Sequence, residues 1–198
     1  MKKLLLKLFL LLNSLLCKTM RVTSTPRVRS VPPEEFPAYE AYNKGVALNR
    51  IGDYDGAERA YILAISLKPR LPEAYQNLAL IYDGRGNVEA SEYCNRMAID
   101  TAEDDEYRFK ALVMTNLAMG ILRRQSSNDT AVAQALELLI QAQEMDPTNE
   151  DVLFNLGSAY FNLKEYNLAN QTFTKLLDIN PHNGKSITFY IQIYRFLG

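Results

Sequence analysis

Few residues of this chain have the types that build a catalytic or metal site. The single histidine is His182, in the turn Pro181-His-Asn-Gly184, and the two cysteines, Cys17 and Cys94, are far apart. Zinc sites and nucleophile–base pairs need His, Cys or carboxylate side chains that cluster. The acidic run Glu103–Glu106 lacks the spacing and glycine of a calcium loop. We therefore predict a non-catalytic protein with no metal and no cofactor.

A second set of polar residues recurs regularly along the chain. Asn43, Asn77, Asn116 and Asn155 are separated by 34, 39 and 39 residues. An Asn amide both donates and accepts hydrogen bonds, so such a ladder could hold a peptide backbone without reading its sequence. The alternative, which we favour, is that these amides bond within the repeated unit.

These asparagines lie in apolar helical segments that repeat. The triplets ending at Gly45, Ala79, Ala118 and Gly157 are each followed by a turn and a second helix, which usually closes on a proline. Self-similarity at this period is typical of stacked helical hairpins. The first unit shows the pattern most fully, with Gly-Asp-Tyr-Asp-Gly-Ala57, Tyr61, Ala64 and Pro69.

This pattern resembles the tetratricopeptide repeat (TPR) family over residues 38–181. The second unit departs from it, because Ser91 replaces the usual alanine, Asn95 the usual aromatic residue and Glu103 the closing proline. The third unit has an inter-helix turn five residues longer, running through residues 125–130, and its first helix is expected to begin near Asp105. The fourth unit is close to the family pattern.

The resemblance implies an all-α, right-handed α-solenoid of four helical hairpins. Their approximate bounds are residues 38–71, 72–105, 106–149 and 150–183, and a capping helix follows at residues 184–198. Small residues such as Gly45 and Gly157 are expected where the two helices of a hairpin cross, because only small side chains permit a close approach. Hairpins of this kind bury their apolar faces by stacking on one another.

In this family the first helices of the hairpins line a concave groove that holds an extended or helical peptide. The resemblance implies a protein or peptide partner bound at the projected positions Tyr39, Tyr42, Asn43, Val46, Gln76, Asn77, Leu80, Asp83, Thr115, Asn116, Met119, Leu122, Phe154, Asn155, Ser158 and Phe161. A basic clamp for a C-terminal carboxylate, used by some chaperone-binding members, is not expected. Its Lys and Asn positions hold Tyr42 and Val46.

The predicted capping helix is more apolar than one buried face requires. Lys185, Thr188, Gln192 and Arg195 form its polar stripe, while apolar residues cover the rest of residues 187–197. Either the helix is packed on two sides within the chain, or residues 187–197 form a docking or oligomer surface.

The ends of the chain differ in charge. Residues 1–33 carry seven basic side chains and no acid, whereas the remainder carries 15 basic and 23 acidic side chains. An acidic body argues against nucleic acid as a partner.

Residues 1–17 form a basic, apolar leader that is too short to span a bilayer comfortably. Residues 18–37, rich in Pro, Ser and Thr, are interpreted as a linker.

We interpret the leader first as a secretory signal peptide or an uncleaved membrane anchor, which is the expected membrane contact. That places the protein in the secretory pathway, extracytoplasmic or membrane-anchored; a mitochondrial or other organellar presequence is the alternative. The expected function is an adaptor or scaffold that binds proteins in its groove. The alternatives are a rigid subunit docked through its C-terminal helix and, more remotely, a non-catalytic fragment of a TPR-containing transferase.

Overall fold

A computed structural model describes residues 32–124 and 129–197, so the predicted leader and most of the predicted linker lie outside the described residues. After a 3-10 turn at Pro33–Glu35, the described residues form nine α-helices. These are α1 (Phe36–Arg50), α2 (Tyr54–Leu67), α3 (Pro72–Gly84), α4 (Val88–Thr101), α5 (Tyr107–Arg123), α6 (Asp129–Met145), α7 (Glu150–Asn162), α8 (Tyr166–Ile179) and α9 (Gly184–Leu197).

The helices pair into four antiparallel hairpins, α1–α2, α3–α4, α5–α6 and α7–α8, with α9 packed on the last one. This is the predicted all-α solenoid. The linker prediction was too long at its end, since residues 33–35 form the 3-10 turn and α1 already begins at Phe36. Pro37 is tolerated there because it lies in the first turn of α1, where the backbone N–H has no helical partner.

Local sequence explains where the second helices begin. Asp53 Oδ1 accepts a hydrogen bond from the Gly56 backbone N–H at 2.8 Å, and Asn87 Oδ1 accepts one from Ala90 at 3.2 Å. Such N-caps satisfy backbone donors that the first helical turn leaves free. The glycine before each cap, Gly52 or Gly86, has a positive φ of 82° or 72°. That conformation reverses the chain between the two helices of the hairpin.

Two hairpins are closed by an aromatic ring lying on a glycine. A Cβ added to Gly45 would stand 2.6 Å from Cε1 of Tyr61, and one added to Gly157 would stand 2.9 Å from the Phe173 ring. Real carbon atoms do not approach so closely, so only glycine fits under these rings. The sequence prediction of small residues at the helix crossings is confirmed at both positions.

The core runs from hairpin to hairpin. One cluster joins Tyr61 and Ala64 of the first hairpin to Leu71 and Leu78 of the second, and another joins the third hairpin to the fourth. Between the second and third hairpins, a smaller buried cluster contains Tyr75, Ala98 and Val113. Stacking therefore buries what a single hairpin would leave exposed.

Helix α9 is attached to the last hairpin through one side. Ile193 and Ser186 are fully buried, and the Phe189 ring stacks on Phe173 with their centroids 5.2 Å apart. On the opposite side, Ile187 and Ile191 are exposed. Both expectations for this helix stay predictions.

Candidate functional site: the groove of the first helices

The first helices α1, α3, α5 and α7 bear the residues projected to line a groove. The structure places these residues in three different environments along the array. At the N-terminal end they join the packing, in the middle they surround a cavity, and at the C-terminal end they meet α9.

At the N-terminal end, Tyr42 is already engaged. Its ring packs on Tyr61 with centroids 5.8 Å apart, and its hydroxyl accepts a hydrogen bond from Asn77 Nδ2 at 3.3 Å. Burial raises the pKa of Tyr42 above its usual value of 10.0, against an opposing effect of the Asn77 bond. Asn77 thus bonds to the preceding hairpin and not within its own repeated unit, so the favoured expectation was wrong at this position.

Tyr39 is held by a lysine that sequence reasoning did not select. Lys68 Nζ donates to the Tyr39 hydroxyl at 2.9 Å and to Glu35 Oε2 at 2.6 Å, and it lies 4.8 Å from the centre of the Tyr39 ring. Lys68 comes from the loop after α2, next to Pro69. Nothing in the repeat pattern marks it, because its partners lie about thirty residues earlier in the chain.

Two hydroxyl residues of the projected set are turned towards their own helices. Thr115 is 3% exposed, and its Oγ1 donates to the Ala111 carbonyl at 2.8 Å. Ser158 Oγ donates likewise to the Phe154 carbonyl. The projection of Thr115 onto the groove surface was therefore wrong, because its side chain packs inside the array and satisfies its hydroxyl there.

In the middle of the array, the projected residues surround a cavity of about 140 Å³. Leu80 and Asp83 of α3 form one wall, and Asn116 and Met119 of α5 form the other. The lining of the cavity also includes polar side chains from α4 that the projection did not contain. The complete lining is Ala79, Leu80, Asp83, Ser91, Asn95, Asn116, Met119 and Arg123.

The rim of this cavity is electrically balanced. Arg123 donates to Asp83 Oδ1 at 2.7 Å, joining α5 to α3, and both side chains remain partly exposed. Exposed pairs of this kind contribute little to stability. Their consequence here is local, since the positive and negative charges nearest the cavity offset one another.

At the C-terminal end, the aromatic groove residues are covered by α9. Phe189 lies 5.8 Å from Phe154 and 5.2 Å from Phe161 between ring centroids, in edge-to-face arrangements. Such pairs are favourable beyond the area that they bury. Phe154 and Phe161 are therefore committed to holding the capping helix.

The remaining projected residues are spread between these environments. Val46 and Leu122 pack against the core, whereas Gln76 and Asn155 are half-buried and Asn43 is exposed. The groove thus offers its most accessible apolar side chain at Leu80, which is 49% exposed.

Over residues 32–124 and 129–197, no three His, Cys, Asp or Glu side chains are gathered in a way that could hold a metal ion. Burial raises the pKa of the Cys94 thiol to about 11, which disfavours the reactive thiolate. Of the helices described, none is long and apolar enough to cross a membrane.

Comparison with known families identifies the fold. Two family models, both described as tetratricopeptide repeat, match residues 41–71 and 129–187. The chain is a tetratricopeptide repeat protein. The matched stretches leave residues 72–128 between them, which includes the irregular second hairpin of this TPR array. TPR proteins generally serve as protein–protein interaction modules, and the family matches support such a module here.

Solved structures of TPR proteins share the architecture. MamA is 18% identical with a TM-score of 0.68, and the match covers 80% of this chain and 81% of MamA. YrrB, described as a TPR protein with an unusual peptide-binding site, is 15% identical with a TM-score of 0.65, over 81% of this chain and 77% of YrrB.

The first TPR of Spaghetti (RPAP3), solved with the HSP90 peptide SRMEEVD, is also similar. It is 18% identical with a TM-score of 0.55, and the match covers 64% of this chain and 94% of the Spaghetti chain. At these identities the likeness shows the fold alone. No curated protein sequence matches the chain.

Proposed function

We propose that this TPR array is an adaptor or scaffold that holds a peptide segment of a partner protein against the middle of its groove. The cavity between α3 and α5 is the observation that carries the proposal. It lies beside the exposed Leu80, and it is lined by polar side chains as well as Met119. Peptide sites in general combine apolar contact with a few fixed polar groups.

The ends of the groove are less suitable for a partner. Phe154 and Phe161 are covered by Phe189, and Tyr39 and Tyr42 make hydrogen bonds within the array. A peptide like the HSP90 peptide bound by Spaghetti is not the partner that we propose. Tyr42 and Val46 occupy the places where a carboxylate clamp would need its Lys and Asn.

A matched pair of substitutions tests the proposal. Leu80→Asp places a charge beside the cavity, and Leu63→Asp places the same charge on α2; the two leucines are 49% and 52% exposed. Peptides selected from a random display library on the full chain are measured against both variants by calorimetry. We expect L80D to weaken binding by tenfold or more and L63D to leave it unchanged. An equal loss of affinity in both variants, or a failure to select any peptide, would contradict peptide binding in the middle of the groove.

A second candidate function is supported by the exposed side of α9. Ile187 and Ile191 are exposed one helical turn apart, as in a surface that docks onto another protein. In this case the array is a rigid subunit, or an oligomer formed through residues 187–197. Sedimentation of the full chain and of Ile191→Asp distinguishes these cases. A monomer that is unchanged by the substitution and binds no apolar dye would argue against docking through α9.

A further inference from the structure

Asn95 interrupts the series of large apolar residues inside the hairpins. The same place holds Tyr61 in the first hairpin, Leu139 in the third and Phe173 in the fourth, and all three are fully buried. Asn95 is also buried, with 4% of its surface exposed. The second hairpin therefore encloses a polar amide where its neighbours enclose a ring or an aliphatic side chain.

The exchange of a ring for an amide leaves space. Ala79, which faces this place in the second hairpin as Gly45 does in the first, lines the cavity of about 140 Å³ together with Asn95. A cavity of about 150 Å³ accommodates a molecule as large as benzene. The cavity can therefore take the end of one ordinary side chain.

Asn95 is not satisfied by the fold around it. Its Nδ2 reaches Ser91 Oγ at 3.5 Å, a long and weak contact, and within the described residues its Oδ1 has no hydrogen-bond partner. Buried polar atoms are normally paired, and an unpaired one costs free energy. An unpartnered amide that lines a cavity is thus complementary to a ligand that brings a donor.

The charges around the cavity select a neutral ligand. Asp83 and Arg123 are paired with each other at 2.7 Å, so neither is left to balance a charge brought in from outside. Moving a charged side chain into such a site would cost its hydration without a partner. Asn116, on the facing wall, supplies a second amide that can both donate and accept.

We propose that this cavity is a pocket for one carboxamide side chain, that of a Gln or Asn residue in the bound peptide. The carboxamide is neutral, donates to Asn95 Oδ1 and can bond to Asn116 at the same time. Leu80 and Met119 pack against its aliphatic carbons. The inference rests on the proposed peptide-binding function, to which it adds a residue preference at one position.

The test compares two changes of similar size, one on each side of the contact. Peptides are selected on the full chain from a random display library, and each is then remade with its Gln replaced by Met. On the wild-type protein we expect the Gln peptide to bind about tenfold more tightly, as one or two added hydrogen bonds would give. On Asn95→Leu, the two peptides should bind alike.

The variant is chosen so that it should fold, because Leu139 fills the same place in the third hairpin. Asn95→Ala serves as the second variant if N95L is destabilised. Selected peptides without a shared Gln or Asn position, or a Gln preference that survives both substitutions, would overturn the pocket and leave the groove standing.

A small probe separates failure of the pocket from failure of the groove. Propionamide, which has the end of a Gln side chain, is titrated into the isotope-labelled full chain while the Asn95 side-chain amide signals are followed by NMR. We expect saturable shifts that butyrate and butylammonium do not produce. If no peptide is selected, the groove proposal fails. Absence of propionamide shifts overturns the pocket in either case.

Discussion

Tyr61 is the largest fully buried side chain of the array, and its hydroxyl is paired with no described group. The ring is needed, because it fills the space over Gly45. The hydroxyl lowers the stability of the folded state, because a buried donor without a partner loses its hydrogen bonds to water. Phe173, in the same place of the fourth hairpin, fills that space without a hydroxyl.

Tyr61→Phe should therefore stabilise the protein by about 1 kcal/mol at neutral pH, measured by urea unfolding with circular dichroism. Burial raises the pKa of Tyr61 to about 12, so the folded state favours the neutral phenol. The resulting stability is present below pH 10, where unfolded tyrosine is still neutral, and is lost as the pH rises from 10 to 12.

The Y61F variant should lose less stability than the wild type over that alkaline range. A decline will remain, since the pKa of Tyr82 is also raised to about 12, first by burial and then by its bond to Glu58. Unchanged stability at neutral pH together with an unchanged alkaline decline would show that the Tyr61 hydroxyl is satisfied in solution.

The glycine under that ring can be tested separately. Gly45→Ala puts a methyl group 2.6 Å from a ring that cannot move aside, and overpacking of this kind costs about 1–3 kcal/mol. Gly120→Ala is the matched control, because Gly120 lies inside α5 with nothing within 4 Å of its added Cβ. There the helix should gain about 0.5–1 kcal/mol. Similar urea midpoints for the two variants would contradict the close approach in the first hairpin.

Among the secondary-structure elements, the turns of the first, second and fourth hairpins differ in conformation. Lys164 takes a positive φ of 64° at the position that Gly52 and Gly86 occupy in the first two hairpins. For a residue with a side chain, this conformation costs roughly 1–2 kcal/mol. The next residue, Glu165, makes no side-chain N-cap bond, whereas Asp53 and Asn87 do. The fourth hairpin thus carries a strained, uncapped turn.

Lys164→Gly should raise the free energy of unfolding by about 0.5–1 kcal/mol, since relief of the left-handed strain exceeds the entropy that glycine adds to the unfolded chain. The reverse change, Gly86→Lys, should lower it by about 1 kcal/mol. Both are measured by urea unfolding. A K164G variant that is less stable than the wild type would mean that Lys164 makes a compensating contact in the folded state.

The hairpins themselves could be predicted from sequence, because each is specified by local signals. The repeated triplets, the turn Gly-Asp and the closing prolines lie within one unit, and they gave the order and pairing of the helices. The groove side chains could not be assigned in the same way. Asn77 bonds to Tyr42 of the preceding hairpin, and Phe154 meets Phe189 of the following helix. These choices depend on contacts between units.

The role of Asn95 could be predicted from the sequence only in part. The sequence marked it as a departure from the family pattern, since an aromatic residue is usual there. Sequence alone did not show that Ser91, Asn116 and the pair of Asp83 with Arg123 would gather around the space that it leaves. Those residues come from three helices of two hairpins, and only the stacking brings them together.

For the whole molecule, stability depends on how each hairpin is covered by the next. In stacked repeats each unit contacts only its neighbours, so the terminal unit depends on its cap. Here the cap is held by Phe189, which touches Phe154, Phe161 and Phe173 together. Loss of that ring would uncover the fourth hairpin and leave the first one covered as before.

Phe189→Ala should cost about 2–4 kcal/mol, which approaches the range for removal of a core aromatic residue. The cost should be local. Amide hydrogen exchange in α7–α9 is expected to accelerate strongly, with little change in α1 and α2. Equal acceleration at both ends would show that the array unfolds as one cooperative unit and not from its capped end.

The polar residue at Asn95 has a consequence for how the peptide specificity of the array could be changed. In an array of stacked hairpins, the proposed pocket in one of them would fix which residue of the bound peptide lies opposite which hairpin. Leu139→Asn would place a second polar amide at the same position one repeat further along, while N95L would remove the first pocket. The order of the hairpins along the array would then determine which peptide sequences the protein selects.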